Sequence, residues 1–222
     1  PKAWLMRFVR DEVLVPGDVV KVDTGTWTRD STLQLFDSGS AAQMITFQGS
    51  PNGTELNRND TGLAVIYLSG VSHIRLENLK LTGGSSGLRA ENAQDIQVVG
   101  CEGYNNSAGY LEAGFYFGNC VDVQVVSNRC HNTGNGMYFS GCWNSVVEAN
   151  QSHDNTGYGI YLDNHGTLRG NECYGNGYGL SVNGSVLIED NVSRNNMYNG
   201  LYFIGPCEIR DNLIYANGQS GV

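Results

Sequence analysis

The stretch GMYFSGCWNSVVEANQSHDNTGYGIYLDN, residues 136–164, states one pattern twice. Gly136-Met137-Tyr138-Phe139 returns as Gly159-Ile160-Tyr161-Leu162, with a polar run from Asn150 to Asn155 between them. The same Gly-apolar-x-apolar start occurs at Gly62, Gly87, Gly114, Gly136, Gly159, Gly179, Gly200 and Gly221, at intervals of 25, 27, 22, 23, 20, 21 and 21 residues. A self-similar period in the low twenties marks a solenoid, in which each unit buries its apolar residues only by stacking on its neighbours. Alternating apolar and polar residues make the start of each unit a short strand, and the Asn or Gly that closes it suits a left-handed turn.

Two further columns follow in each unit. Asn128, Asn150, Asn171, Asn191 and Asn212 recur at 22, 21, 20 and 21 residues, with Cys101 on the same rung of an earlier unit. Ile96, Val98, Val123, Val125, Val147, Leu168, Ile188 and Ile209 precede them as inward strand residues. Asn132, Asn155, Asn176, Asn196 and Asn217 form a third column that closes the coil. No leucine-rich consensus and no long stretch of helical period is present. The expectation is an all-β chain: a single-stranded right-handed parallel β-helix with coils of about 20–27 residues and three short strands in each. Equivalent side chains in neighbouring coils then lie about 4.8 Å apart, so the columns map the surface.

The opening differs from the rest. Trp4, Leu5, Phe8 and Val9 have one-face helical spacing, which predicts a capping helix over residues 2–12, with a first edge strand as the alternative. The chain is read as one β-helix domain over 1–222, with a cap and irregular first coils over 1–60 and regular coils over 61–222. A coil cut after Val222 would expose an apolar cross-section, so further domains of a longer chain are expected.

Composition limits the partners. A net charge of −9 argues against nucleic acid or an anionic membrane surface, and no apolar run is long enough for a membrane span. The six cysteines include no CxxC pair, which argues against a zinc ribbon. Cys130 and Cys173 fall on inward positions. Cys120 and Cys142 should stack in neighbouring coils, either as a disulfide or as free thiols.

Pro16-Gly17-Asp18 with VVKV, then Thr24-Gly25-Thr26-Trp27, then Gly39-Ser40-Ala41-Ala42 and Ile45-Thr46-Phe47, resemble the first coils of β-helical polysaccharide lyases. That group includes chondroitinase B, alginate lyases and some pectate lyases. The resemblance implies an extracellular or cell-surface protein (a periplasmic one is the variant) acting on polysaccharide. The Asp-Pro-His motif of β-helical mannuronan epimerases is absent, as is an Asp cluster of the calcium-binding pectate lyase type.

Three outward columns carry candidate chemistry. Tyr104, His131, His153, Tyr174, Arg194 and Tyr215 stand three positions after the ladder residue. Uronate elimination needs a base, a proton donor for the leaving oxygen and a cation at the carboxylate. His131, His153, Tyr174 and Arg194 supply those types and are the catalytic candidates. Arg89, Tyr116, Tyr138, Tyr161, Ser181 and Tyr202 form a second column, whose tyrosines could grip sugar rings. Tyr104, Tyr110, Glu112, Tyr116, Tyr138 and Tyr161 are therefore the substrate-binding candidates, Tyr110 and Glu112 lying in the extra residues of the longest coil. Lys80, Glu102, Arg129, Gln151 and Glu172 form the third. No metal ligand set is assigned, although an acidic protein on an acidic polymer needs calcium or a local basic cluster to offset repulsion. Each column also has a plain structural reading: strand propensity for the tyrosines, a polar turn face for the histidines. The function expected is a carbohydrate-active module of lyase type, with glycoside hydrolysis less favoured. The alternative is a noncatalytic structural or glycan-binding segment of a larger surface protein.

Overall fold

The computed structural model describes residues 12–219, and every strand pairing within that span is parallel. The expected capping helix and Gly221 lie outside the described residues. Each coil runs over three faces. In the coil quoted above, Asn135–Ser140 lies on face one, Ser145–Glu148 on face two and Gln151–His153 on face three. In the next two coils one strand bends through faces one and two, Tyr158–Arg169 and then Tyr178–Glu189, and joins those faces into a 15-stranded sheet. Face three is a separate 9-stranded sheet running from Gly25–Thr28 to Leu213–Tyr215.

The period exists because a specific backbone approach repeats. A Cβ on Gly136 would lie 2.4 Å from the carbonyl oxygen of Gly159 and 1.8 Å from Ser152 Oγ; one on Gly159 would lie 2.7 Å from the oxygen of Gly179. Gly179 meets Gly200 at 2.4 Å in the same way. The repeat glycine is thus the point at which successive coils come too close for any side chain. Ser152 and Ser193 use the space, each donating from Oγ to the carbonyl of Gly159 or Gly200, at 2.7 and 2.6 Å. Gly62 does not belong to this column. Ile66 pairs with Leu88, so Val65 stands opposite Gly87 and the coil is shorter than the glycine count implies.

Inside, the apolar columns stack. Phe115, Phe117, Phe139, Ile96, Val98, Val123, Val125, Val147, Leu168 and Ile188 are fully buried, and the Phe117 and Phe139 rings lie 4.7 Å apart. Ile209, in the last described coil, is 38% exposed. The core is closed at its corners by asparagine. Asn150, Asn171, Asn191 and Asn212 each offer Oδ1 to the backbone N–H and side-chain amide of the asparagine one coil back, at 2.8–3.1 Å, and Asn128 begins the ladder. Cys101 occupies the earlier rung, where its N–H donates to Asn128 Oδ1. The residue just before each rung turns the corner in the left-handed region, even where it is Ser127 (φ 57°) or Ala149 (φ 55°).

The column at the other corner departs from the expected one at a single rung. Asn155, Asn176, Asn196 and Asn217 stack by the same bonds, but the rung above Asn155 is Thr133. Asn132 is instead the left-handed turn residue (φ 53°), in the place that Asp154 and Asn195 take in later coils. On face two, Glu189 holds Arg169 at 2.6 Å and Arg210 at 2.7 Å, one from each neighbouring coil. Such exposed pairs contribute roughly 0–1 kcal/mol each. Cys120 and Cys142 are free and buried, their thiols turned to the backbone carbonyls of Ala90 and Gly118 and of Phe117 and Ser140, and Cys130 and Cys173 are small core residues.

Candidate functional site

Face three brings the histidine column together as the spacing predicts. Tyr104, His131, His153, Tyr174, Arg194 and Tyr215 occupy one register position in successive strands. Their rings form a continuous stack: Tyr104–His131 at 5.4 Å, His131–His153 at 4.9 Å and His153–Tyr174 at 4.7 Å, the last two within 4° of parallel. The Arg194 guanidinium closes it, 4.4 Å from the centre of the Tyr174 ring.

The second row of the face, Glu55, Lys80, Glu102, Arg129, Gln151 and Glu172, reaches into this stack. Glu102 accepts from His131 Nε2 at 3.1 Å and from Lys80 at 3.1 Å, with Arg129 at 3.6 Å. Glu172 holds Arg194 at 2.8 Å, and Tyr104 donates its hydroxyl to Glu55 two coils away. Arg129 Nε donates to His153 Nε2 at 2.9 Å. An arginine only donates, so Nε2 carries the lone pair and the proton sits on Nδ1, which donates to Asp154 at 2.8 Å. His131 is the other tautomer: Nε2–H faces Glu102, and Nδ1 accepts from the Asn132 amide at 3.0 Å. A depression of about 570 Å³ flanks the stack on its face-two side, and Lys80, Glu102, Arg129 and Gln151 line it.

Burial holds the His131 imidazole below its ordinary value, and the positive charge of Arg129 adds to this against the pull of Glu102. Burial would raise the Glu102 carboxyl, but hydrogen bonds and charge from His131 and Lys80 outweigh it and the net shift is downward. Burial, then Glu55, pushes the Tyr104 phenol up. The unfolded chain takes a proton on this histidine near its ordinary value of 6.5, and the folded chain resists it. Stability from His131 is therefore complete above that pH and is lost as pH falls toward the lowered folded value. Glu102 adds a loss of the same sign at lower pH, through its own depressed value. The urea midpoint is expected to fall between about pH 7 and pH 5, and His131→Gln to flatten that fall.

The tyrosine candidates separate from the histidines. Tyr116, Tyr138 and Tyr161 share one register position, but on face one, with the corner at 154–157 between them and His153. Tyr116 and Tyr138 are only 7% and 6% exposed, packed with Ala113, Tyr158 and Tyr161, so neither offers a free ring to a ligand. The loop carrying Tyr110 and Glu112 leans over face one as well, where Asn135 Nδ2 donates to the carbonyl oxygens of Tyr110 and Glu112. Sequence reasoning missed two links in the stack: the diagonal bond from Arg129 to His153, and the reach of Tyr104 to Glu55. Among the described residues no three His, Cys, Asp or Glu side chains gather in a way that could hold a metal ion. The carboxylates at the stack are already engaged, Glu102 by His131 and Lys80, Asp154 by His153 and Glu172 by Arg194. The residues therefore do not fit calcium at the stack.

Residues 45–185 match the family model described as the right handed beta helix region. The chain belongs to that family. This β-helix is similar in fold to an alginate lyase from Paenibacillus sp. str. FPU-7, with TM-score 0.74 and 18% identity over 99% of this chain and 96% of that one. It is also similar to the A-module of a mannuronan C-5 epimerase from Azotobacter vinelandii, with TM-score 0.69 and 20% identity over 93% and 65%. A pectate lyase aligns at TM-score 0.57 and 16% identity over 94% and 74%. At such identities the likeness is one of fold, and a β-helix fold hosts many chemistries. No curated protein matches the sequence. No helix among the described residues is long and apolar enough to cross a membrane.

Proposed function

We propose that this β-helix binds an acidic, uronate-containing polysaccharide along face three and cleaves it by β-elimination at the histidine stack. The observation that carries the reading is the Arg129–His153 pair: a cation sitting on the lone pair of a neutral imidazole. A sugar carboxylate is a better partner for a guanidinium than an imidazole nitrogen is. When it takes Arg129, Nε2 of His153 is released beside the sugar, its tautomer still fixed by Asp154. Nε2 then removes the proton from C5, the C–H electrons form the C4=C5 double bond, and the C4–O bond breaks. The leaving oxygen takes a proton from Tyr174, whose ring stacks one strand spacing from His153 and is steadied by Arg194. The products are an unsaturated uronate and a free hydroxyl end, and proton transfer from the imidazolium back to the phenolate resets the site. Such a polymer is met outside the cytoplasm, and the proposed activity therefore belongs to an extracellular, cell-surface or periplasmic protein.

The fold likeness to lyases supports this reading, and so does the depression lined by Lys80 and Arg129. The test is incubation with alginate, pectate and chondroitin while following the absorbance of the unsaturated uronate. Growth of that signal is the expected result, and its absence on every uronate polymer removes the lyase reading. Retention of a polymer without product selects the noncatalytic alternative, which one observation favours: the acceptor nitrogens of both stacked histidines are already engaged.

A further inference from the structure

A second depression, of about 740 Å³, lies on face one, away from the histidines. Its floor is the outward row Gln34, Tyr67 and Arg89. The loop with Tyr110 and Leu111 lines it, and so does Leu63, two coils earlier. These three side chains are 76%, 44% and 61% exposed, an unusual gathering of large apolar groups around one hollow. The loop is built rather than loose: Glu112 accepts from the Gly109 N–H at 2.7 Å, and Asn135 holds the carbonyls of Tyr110 and Glu112 at 2.8 and 3.2 Å.

The charge of the hollow defines its ligand. Arg89 gives Nε and Nη2 to one oxygen of Glu91, at 3.1 and 2.6 Å, and Tyr67 donates to the other at 2.7 Å. Burial would raise the Glu91 carboxyl, but these hydrogen bonds hold it down and ionised, so the arginine is neutralised where it stands. Glu112 adds a negative charge at the rim. An anionic sugar meets no free cation here. An uncharged sugar meets what its two faces need: Tyr110, Leu111 and Leu63 for the C–H face, and Gln34, Thr32, Arg89 and Glu112 for the hydroxyls.

We propose that this hollow is a binding site for a neutral sugar residue, chemically distinct from the acidic-glycan stack on face three. It does not depend on the elimination reading, because it needs no cleavage. The test is migration of the full chain through native gels cast with a neutral glucan, xylan or galactomannan, or with alginate. Wild type is expected to be retarded in at least one neutral gel, and Tyr110→Ala and Arg89→Gln each to weaken that retention at least tenfold. Retention by alginate alone, or by none of the gels, overturns the site. So does unchanged retention in both variants, with urea midpoints at the wild-type value serving as the folding control. Because elimination is read by absorbance and this site by gel retention, either proposal can fail while the other stands.

Discussion

Replacing His153 with glutamine is expected to lower the turnover number on a uronate polymer by roughly 10²–10⁴-fold, the range typical of a lost general base. Glutamine keeps a polar side chain that can still meet Arg129, so the urea midpoint should move little. Arg129→Gln should behave differently. It uncovers the His153 lone pair but removes the partner of the substrate carboxylate, a charged hydrogen bond of about 1.5–3 kcal/mol. The expected result is a KM raised by roughly 10- to 100-fold, from that same energy, with a smaller change in turnover. The comparison separates a catalytic role from a merely structural stack: a His153→Gln protein with wild-type turnover would sink the proposed base.

The second large effect is on stability. Asn171 is 1% exposed, and its side chain makes four hydrogen bonds: Oδ1 accepts from the Asn150 N–H and side-chain amide, and Nδ2 donates to the Val147 carbonyl and to Asn191. Asn171→Leu nearly keeps the volume and leaves the Asn150 N–H without its side-chain partner in a closed corner. Each buried group left unpaired costs about 1–3 kcal/mol, so a loss on the order of 3–5 kcal/mol is expected in urea denaturation. Asn171→Asp restores the acceptor but not the donor and should fall between the two. A Leu variant within 1 kcal/mol of wild type, about the worth of one ordinary hydrogen bond, would show that the column is not what closes the core.

The repeat made much of this legible before any coordinates. A period in the low twenties with in-out alternation placed His131, His153, Tyr174 and Arg194 in one outward row, and the register has them there. What a period cannot provide is anything that runs across rows. The Arg129–His153 bond is diagonal, so a column-by-column reading passes over it. Nor does a period fix the position of an extra residue inside a coil: counting back from Asn155 leads to Asn132, while the rung is Thr133. The angle between faces is invisible as well. Tyr138 and His153 are 15 positions apart in the sequence, yet they lie on separate sheets because a left-handed Ala149 turns the corner before the histidine strand. The glycine column was visible as a pattern, but its cause, carbonyls facing the Cα of the preceding coil, required coordinates.

The Arg169–Glu189–Arg210 row bears on how such a chain can lengthen. The backbone repeats after one coil, but this row repeats only after two, because the sign of the charge alternates. Duplicating a single coil here would keep every strand pairing and asparagine bond while setting two like charges side by side. Duplicating two coils would keep both. The surface thus carries a parity that the core lacks, and it favours growth of this part of the helix by even numbers of coils.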